Sequence, residues 1–181
     1  MEKYYLKCKE LGRKRAVEVV SMLNSIWPPK GEGTESIDFK VNRYLEKNGD
    51  HDLILYLEAG IVAAHAIMFP RTIDTSNGRM EILALAGVAV HPDYRKTGTG
   101  KLIVMDAFSC LSTYGLPLSL FQTGVPGFYL KLGGVTVSNR FVNSLDPKYT
   151  DKSPWWDKEV MIYPGTAGLP EGTIDLLGSG Y

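Results

Sequence analysis

The segment from residue 87 to residue 106, GVAVHPDYRKTGTGKLIVMD, constrains the fold more than any other part of the chain. The apolar positions Val88 and Val90 continue a run of apolar residues and predict a buried strand. Pro92 ends this strand, because proline cannot donate a hydrogen bond to a sheet ladder. A strand that ends so sharply commits the chain to a tight turn.

Two glycines, Gly98 and Gly100, mark that turn, and the residues from Lys101 onward predict a helix. The turn is also basic. Backbone N–H groups at the start of a helix have no partner within the helix, and the helix dipole adds partial positive charge at the same place. A basic, glycine-rich turn between a strand and a helix is therefore suited to hold phosphate.

Two common phosphate-binding loops do not fit this turn. A Walker A loop needs glycine where this chain has Arg95, and serine or threonine where it has Leu102. A dinucleotide-binding fingerprint needs a third glycine where the chain has Ile103. The remaining pattern is Arg-x-x-Gly-x-Gly, preceded by Val-x-Val-x-Pro-x-Tyr.

This pattern resembles the acyl-coenzyme A (CoA) pyrophosphate loop of the GNAT N-acyltransferase superfamily. The resemblance implies that a bulge at Gly87 separates two strands and that the main chain beyond it pairs with the pantetheine amides of CoA. The main-chain contacts would come from Val88, Ala89 and Val90. The loop that wraps the pyrophosphate would consist of Arg95, Lys96, Thr97, Gly98, Thr99, Gly100 and Lys101.

A second motif, FYLKLGG at residues 128–134, resembles the FYxKLGF pattern of the same superfamily and departs from it only at the last position. The resemblance implies that Tyr129 lies beside the CoA sulfur and protonates the departing thiolate. Such protonation favours breakdown of the tetrahedral intermediate, because a thiol has a pKa of about 8.5. The alternative is that Tyr129 only packs a short helix.

The general base is left open between two residues. Many members of the superfamily place a carboxylate on the central strand, and Glu81 is the only carboxylate on that strand here, although it lies nearer the N-terminus than in the family. His65, among small residues of a neighbouring strand, is the second candidate. The amine could also arrive neutral and need no strong base.

Composition supports a globular protein with one domain, residues 1–181. The chain of 20.0 kDa has a net charge of zero and an isoelectric point near 6.8. We therefore expect no nucleic-acid partner, because binding to phosphate backbones requires clustered positive charge.

The N-terminal residues show no apolar signal segment, and no apolar run reaches the ~18 residues that a membrane span requires. Cys8, in a predicted strand, and Cys110, in a predicted helix, are expected to be reduced core thiols. Three scattered histidines offer no spacing for a metal site. We expect a cytoplasmic protein with acetyl-CoA as co-substrate, no metal and no membrane partner.

The order of elements predicts an α+β fold with a mostly antiparallel mixed sheet flanked by helices, which is also the GNAT order. The tail from Pro164 has little periodicity. Strands are expected at 4–9, 52–58, 61–69, 79–90, 118–122, 135–142 and 160–163, and helices at 15–27, 36–47, 100–114 and 125–132.

The acceptor is the least defined part of the prediction. Residues 62–65 and 170–181 are weakly similar to nodulation-factor N-acyltransferases, and the C-terminal segments resemble aminoglycoside 2′-N-acetyltransferases. Both families acylate an amine on a sugar. Candidates for stacking on a sugar or binding its amine are Trp27, Trp155, Trp156, Tyr181, Glu32, Glu35 and Asp38.

The sequence therefore predicts an acyl-CoA-dependent N-acetyltransferase, in which a small-molecule amine attacks the thioester directly and the Val88 N–H polarises its carbonyl. One alternative is a GNAT-like sensor that binds acyl-CoA without turnover. Another is a nucleotide-binding protein that uses the same turn for other phosphates. A homodimer is common among proteins that resemble this chain.

Overall fold

The computed structural model describes residues 1–28, 35–149 and 151–181. The described helices are α1 (Arg13–Ile26), α2 (Ile37–Asn48), α3 (Thr99–Tyr114) and α4 (Pro126–Leu130). The described strands are β1 (Glu2–Lys7), β2 (Asp52–Glu58), β3 (Ile61–Thr75), β4 (Gly78–Val90), β5 (Ser119–Thr123), β6 (Val135–Thr136), β7 (Arg140–Val142), β8 (Glu159–Tyr163) and β9 (Thr173–Asp175).

The strands form a mixed sheet flanked by helices, which confirms the predicted fold class. Strand β4 pairs with β5 in parallel, and β7 pairs with β9 in parallel. The pairs β1–β2, β2–β3, β3–β9, β5–β8 and β6–β8 are antiparallel. The pairing is therefore mostly antiparallel, as the element order predicts.

The backbone contacts group the chain into two compact units. The first unit contains residues 1–68 and 87–107, and the second contains residues 69–86 and 108–181. Strands β3 and β4 and helix α3 contribute residues to both units. The expectation of one domain over residues 1–181 stays a prediction.

In the first unit, β1 pairs with β2 along its whole length, from Glu2 opposite Leu57 to Lys7 opposite Asp52. The buried faces of β2 and β3 form the core with the apolar faces of the helices, and α1 contributes Ala16 and Val19. Residues 52–57 of β2 and 62–68 of β3 are buried at every position, so both faces of these strands are covered.

In the second unit, β5 pairs with both β4 and β8, and the apolar side chains of these strands form a core with the C-terminal segment. Arg71 organises that segment: its guanidinium donates hydrogen bonds to the Leu176 carbonyl at 2.7 and 3.0 Å and to the Ser179 carbonyl at 2.8 Å. The Tyr181 hydroxyl donates to the Leu120 carbonyl at 2.9 Å.

Several elements differ from the prediction. The strand expected at 135–142 is two short strands, β6 and β7, because the chain changes partner from β8 to β9 between them. The tail from Pro164 includes β9 and buries Tyr181, although it lacks a periodic pattern. Cys8 begins a 3₁₀ turn instead of lying in a strand, and both cysteines are buried free thiols, as expected.

Within the described residues, no helix is both long enough and apolar enough to cross a membrane.

Candidate active site

The C-terminal end of β4 leads into the predicted phosphate-binding turn. Val88 and Val90 are half-buried and Ala89 between them is buried, so the two valines share one face of the strand. A 3₁₀ turn, Pro92–Tyr94, follows directly and is closed by a 2.9 Å hydrogen bond from the Tyr94 N–H to the His91 carbonyl. This turn carries the chain from the strand to the loop at residues 95–101.

The loop holds a backbone shape that its residue types permit. Gly98 has a φ of +91° and Lys96 a φ of +64°, both in the left-handed region. The Thr97 hydroxyl donates to the Tyr94 carbonyl at 2.7 Å, and it lies 2.8 Å from the hydroxyl of the buried Thr99. The loop is therefore held by hydrogen bonds among its own residues.

Helix α3 begins inside this loop. At its start the Leu102 N–H donates to the Gly98 carbonyl at 3.1 Å. The N–H groups of the three residues before Leu102 have no acceptor within the helix. The side chains of Arg95, Lys96 and Lys101 are exposed around them. Unpaired amide donors, a helix dipole and three cations together favour a bound diphosphate.

Tyr129 lies on α4 in the second unit and is buried against Phe121, with 4.6 Å between ring centroids. Its backbone is fixed by a Schellman motif: the Gly134 N–H donates to the Tyr129 carbonyl at 3.0 Å and the Gly133 N–H to the Leu130 carbonyl at 3.2 Å. Burial raises the pKa of Tyr129, so its hydroxyl stays protonated near neutral pH and remains a hydrogen-bond donor.

The Gly134 position is where the second motif departs from the FYxKLGF pattern. A Cβ at Gly134 would lie 3.2 Å from the carbonyl oxygens of Tyr129 and Ile162. The backbone here approaches so closely that a larger residue would require a shift. The departure is therefore consistent with the local packing of this chain.

The regular backbone of β4 is interrupted at Gly87, which has a φ of +57°. A kink at this residue is what the sequence predicts. A Cβ at Gly87 would lie 3.2 Å from the His65 ring, so a side chain here would be both strained and crowded. Val88 follows Gly87, and the peptide bond between them contains the Gly87 carbonyl and the Val88 N–H.

His65 is fully buried and is hydrogen-bonded through both ring nitrogens. Its Nδ1 lies 2.7 Å from the Gly87 carbonyl and its Nε2 lies 2.9 Å from the Tyr44 hydroxyl. The Tyr44 hydroxyl in turn lies 3.7 Å from the Cys8 sulfur. Burial lowers the pKa of His65 to about 4, so the ring is neutral near neutral pH.

Comparison with known families identifies the family of this chain. The family model for a GNAT acetyltransferase domain matches residues 8–134, which include the loop, the kinked strand and Tyr129. The chain belongs to the GNAT acetyltransferase family. No curated protein matches this GNAT chain in sequence.

Solved structures show the same fold at low sequence identity. YhbS from Escherichia coli, a GNAT protein solved in complex with CoA, has 14% identity and a TM-score of 0.63 over 97% of this chain and 90% of its own. A GNAT acetyltransferase from Staphylococcus aureus has 14% identity and a TM-score of 0.57 over 89% of this chain and 98% of its own.

A third neighbour is longer than this GNAT chain. A GCN5-related N-acetyltransferase from Kribbella flavida has 18% identity and a TM-score of 0.60 over 75% of this chain. The match covers 33% of that protein, so the chain spans about a third of its length.

The predicted site residues of this GNAT protein are divided between the two units. The first unit contains His65, residues 88–90 and the loop at 95–101, while Tyr129 and Glu81 belong to the second unit. Glu81 is exposed on β4. In the first unit, the structure brings His65 to the kink that precedes Val88.

The geometry argues against His65 as a general base, and that role stays untested. The Nδ1 nitrogen faces a carbonyl oxygen, which can only accept, so Nδ1 carries the proton. The lone pair on Nε2 then accepts the hydroxyl proton of Tyr44. Neither nitrogen is open to receive a proton from an amine.

The candidates for binding the acceptor differ in exposure and in pairing. Trp155 and Tyr181 are buried, with 4.8 Å between ring centroids, whereas Trp27 and Trp156 are exposed. Glu35 is paired with Arg43 at 2.9 Å, and Asp38 is paired with Arg13. Glu32 lies outside the described residues.

Among the described residues, no group of three or more histidine, cysteine, aspartate or glutamate side chains could hold a metal ion.

Tyr44 and Cys8 are the hydrogen-bond partners around His65 that the sequence did not reveal. The pattern assigns Tyr44 to the apolar face of α2 and Cys8 to the core. One signal was available: a tyrosine on the inward face of a helix needs a hydrogen-bond partner for its hydroxyl. A histidine among small residues of a strand, such as His65, is a natural candidate for that partner.

The buried His65 predicts a pH-dependent stability. Its pKa is about 4 in the folded chain against an ordinary value of 6.5, so the unfolded chain binds a proton first as the pH falls. The free energy of unfolding should therefore drop by roughly 3 kcal/mol between pH 6.5 and pH 4 because of this residue. Urea unfolding at a series of pH values measures the loss.

The matched control is His65→Asn, which cannot titrate in this range. Other groups titrate in both proteins, so the difference between the two profiles isolates His65. Wild-type and variant profiles that stay parallel between pH 6.5 and pH 4 would contradict the assignment of a neutral, buried imidazole.

Proposed function

We propose that this GNAT protein transfers an acetyl group from acetyl-CoA to the primary amine of a small molecule, by direct attack of the amine on the thioester. The observation that carries the proposal is the loop at residues 95–101. It holds two left-handed residues, Lys96 and Gly98, and opens helix α3 with amide donors that have no acceptor within the helix.

The loop accounts for binding of the donor. The diphosphate of CoA offers acceptor oxygens to the amide groups of residues 99–101 and negative charge to three exposed cations. A glycine at position 98 lets the backbone take a φ of +91° without the steric cost that a Cβ imposes. The binding of CoA to the structural neighbour YhbS supports this assignment.

The chemistry needs no covalent enzyme intermediate. The amine nitrogen forms a bond to the thioester carbon while the N–H of Val88 stabilises the developing oxyanion. The C–S bond then breaks, and the Tyr129 hydroxyl donates a proton to the leaving sulfur and recovers one from solvent. The amide and the free thiol of CoA are the products.

The proton lost by the amine leaves through solvent. Of the two candidate bases, Glu81 is exposed and His65 is buried with both nitrogens hydrogen-bonded. An exposed carboxylate accepts a proton through water more readily, so Glu81 is retained as the candidate base.

An amino sugar is the acceptor class that we place first. The support is the weak similarity of residues 62–65 and 170–181 to enzymes that acylate amino sugars. Trp155 and Tyr181 belong to a packed core, which leaves Trp27 and Trp156 as the exposed aromatic candidates for stacking. The buried free thiols suit the reducing cytoplasm, which we infer as the compartment.

Incubation of the protein with acetyl-CoA and a panel of amines tests the proposal. The panel covers aminoglycosides, polyamines, amino acids and peptide N-termini, and a thiol reagent measures the release of CoA. We expect release with at least one amine and most readily with an amino sugar. Binding of CoA without release on any amine would favour a sensor, and affinity for ATP or NAD alone would favour a nucleotide-binding protein.

Replacement of Tyr129 by phenylalanine tests the proton donor. The variant keeps the ring that packs on Phe121 and loses only the hydroxyl, so we expect kcat to fall about 10²-fold with little change in folding. The control is Tyr163→Phe, since the Tyr163 ring stacks on Phe108 at 3.8 Å and the phenylalanine retains that contact. An equal kcat in wild type and Tyr129→Phe would remove Tyr129 from the chemistry.

Replacement of Gly98 by valine tests the loop. A β-branched residue at a φ of +91° is strained, so the loop should change shape and the affinity for CoA should fall at least about 10-fold. Isothermal titration calorimetry with CoA measures the loss.

Gly60→Val is the matched control for that substitution. Gly60 also has a positive φ, +80°, and open space where a Cβ would lie, but it sits in the turn between β2 and β3. The Gly60→Val variant should lose about as much stability as Gly98→Val and keep the wild-type affinity for CoA. If Gly98→Val bound CoA as tightly as wild type, the diphosphate assignment would be untenable.

A further inference from the structure

We propose that Cys8, Tyr44 and His65 form a positioning chain that orients the Val88 N–H toward the thioester carbonyl. The three side chains do not touch the reacting atoms. They act through the Gly87 carbonyl, which accepts a hydrogen bond from His65 at 2.7 Å. The inference rests on the proposed function, because it assigns a role in polarising acetyl-CoA.

The Gly87 carbonyl, at the end of the positioning chain, determines the direction of every hydrogen bond in it. The Gly87 carbonyl can only accept, so Nδ1 of His65 donates and Nε2 must accept. The Tyr44 hydroxyl therefore donates to Nε2 at 2.9 Å. Its oxygen is left to accept the thiol hydrogen of Cys8, whose sulfur lies 3.7 Å away. One tautomer of the histidine satisfies all three partners.

The protonation of Cys8, the first member of the positioning chain, agrees with that direction. Burial raises the pKa of Cys8 to about 11, so its thiol keeps the hydrogen that it donates. Both His65 and Cys8 are fully buried. Tyr44 between them is partly buried, so water has no access to the two ends of the network and limited access to its middle.

The link to Val88 is the peptide bond itself. The Gly87 carbonyl and the Val88 N–H belong to one planar trans peptide, in which the C=O and N–H bonds point in opposite directions. A carbonyl held toward His65 therefore points the Val88 N–H away from His65. At Gly87 the φ of +57° frees this peptide from the regular strand geometry, so a separate hydrogen bond is needed to hold its orientation.

The crowding at Gly87 supports a single, defined arrangement. A Cβ at this position would lie 3.2 Å from Cε1 and 3.5 Å from Nδ1 of the His65 ring. The imidazole thus rests directly against the glycine backbone. A close approach of this kind limits the ways in which the peptide can rotate.

The test measures polarisation of the carbonyl directly and needs no acceptor. Acetyl-CoA labelled with ¹³C at the carbonyl is bound to the full chain, and infrared difference spectroscopy records the C=O stretching band. A hydrogen bond from Val88 lowers this frequency relative to free acetyl-CoA. We expect the lowered band in wild type. In His65→Leu, whose side chain has no N–H donor, we expect a band close to that of free acetyl-CoA.

Rescue by a conservative variant separates positioning from packing. In His65→Asn the amide Nδ2 is two bonds from Cβ, as Nδ1 is in histidine, and it can donate to the Gly87 carbonyl. We expect this variant to restore most of the lowered band. With an amine found in the panel, kcat should fall about 10-fold in His65→Leu at unchanged KM, which is part of the 10²- to 10³-fold effect of losing an oxyanion donor.

Tyr56→Phe is the matched control. Tyr56 is a buried tyrosine of the same unit, and its hydroxyl donates to Asp106 and makes no contact with His65 in the positioning chain. Tyr44→Phe should shift the band part of the way toward the free position, because His65 loses the donor that fixes its tautomer. Tyr56→Phe should leave the band unchanged.

The outcomes separate the two proposals. If wild type does not bind acetyl-CoA, the proposed function fails. If wild type binds it with a lowered band, and the band stays equally low in His65→Leu and Tyr44→Phe, the function stands and the positioning chain is refuted. Should His65→Leu fail to fold, the comparison of Tyr44→Phe with Tyr56→Phe decides, since equal bands in those two variants refute the chain.

Discussion

The hydrogen bond from His65 to the Gly87 carbonyl is the interaction on which the proposed site depends. It joins β3 to β4 at the residue where the β4 backbone turns left-handed. A left-handed residue inside a strand interrupts the ladder and leaves a peptide whose orientation the sheet does not specify. A buried side chain supplies that orientation here, directly before the residues that we propose to bind acetyl-CoA.

The same division between scaffold and site applies to the phosphate loop. In the proposed diphosphate site residues 95–101 would contribute mainly backbone donors, and their side chains are largely exposed. Rigidity comes from hydrogen bonds among Tyr94, Thr97 and Thr99 and from the start of α3. A donor that is held in place before binding loses little conformational entropy when the ligand arrives, which is the general advantage of preorganisation.

The C-terminal segment of the second unit is held in part by hydrogen bonds from polar side chains. The segment has few periodic apolar residues, yet it is held by Arg71, by the Tyr181 hydroxyl and by Gln122, whose amide donates to the Tyr181 carbonyl at 2.7 Å. Trp155 and Tyr181 pack edge to face in the same core. Polar side chains therefore add hydrogen bonds to the apolar packing of Ile174, Leu176 and Tyr181 in this core.

Local pattern alone determined much of this protein: the helix and strand periods, the proline that ends β4, the glycines of the turn and the motif around Tyr129 are readable along the sequence, because each depends on neighbouring residues. Only the tertiary structure decided that His65, Tyr44 and Cys8 contact one another, how residues 135–142 divide between two partner strands, and that Tyr181 is buried. These features arise from contacts between residues far apart in the chain, and a one-dimensional pattern carries no information about which distant polar group will satisfy a buried donor.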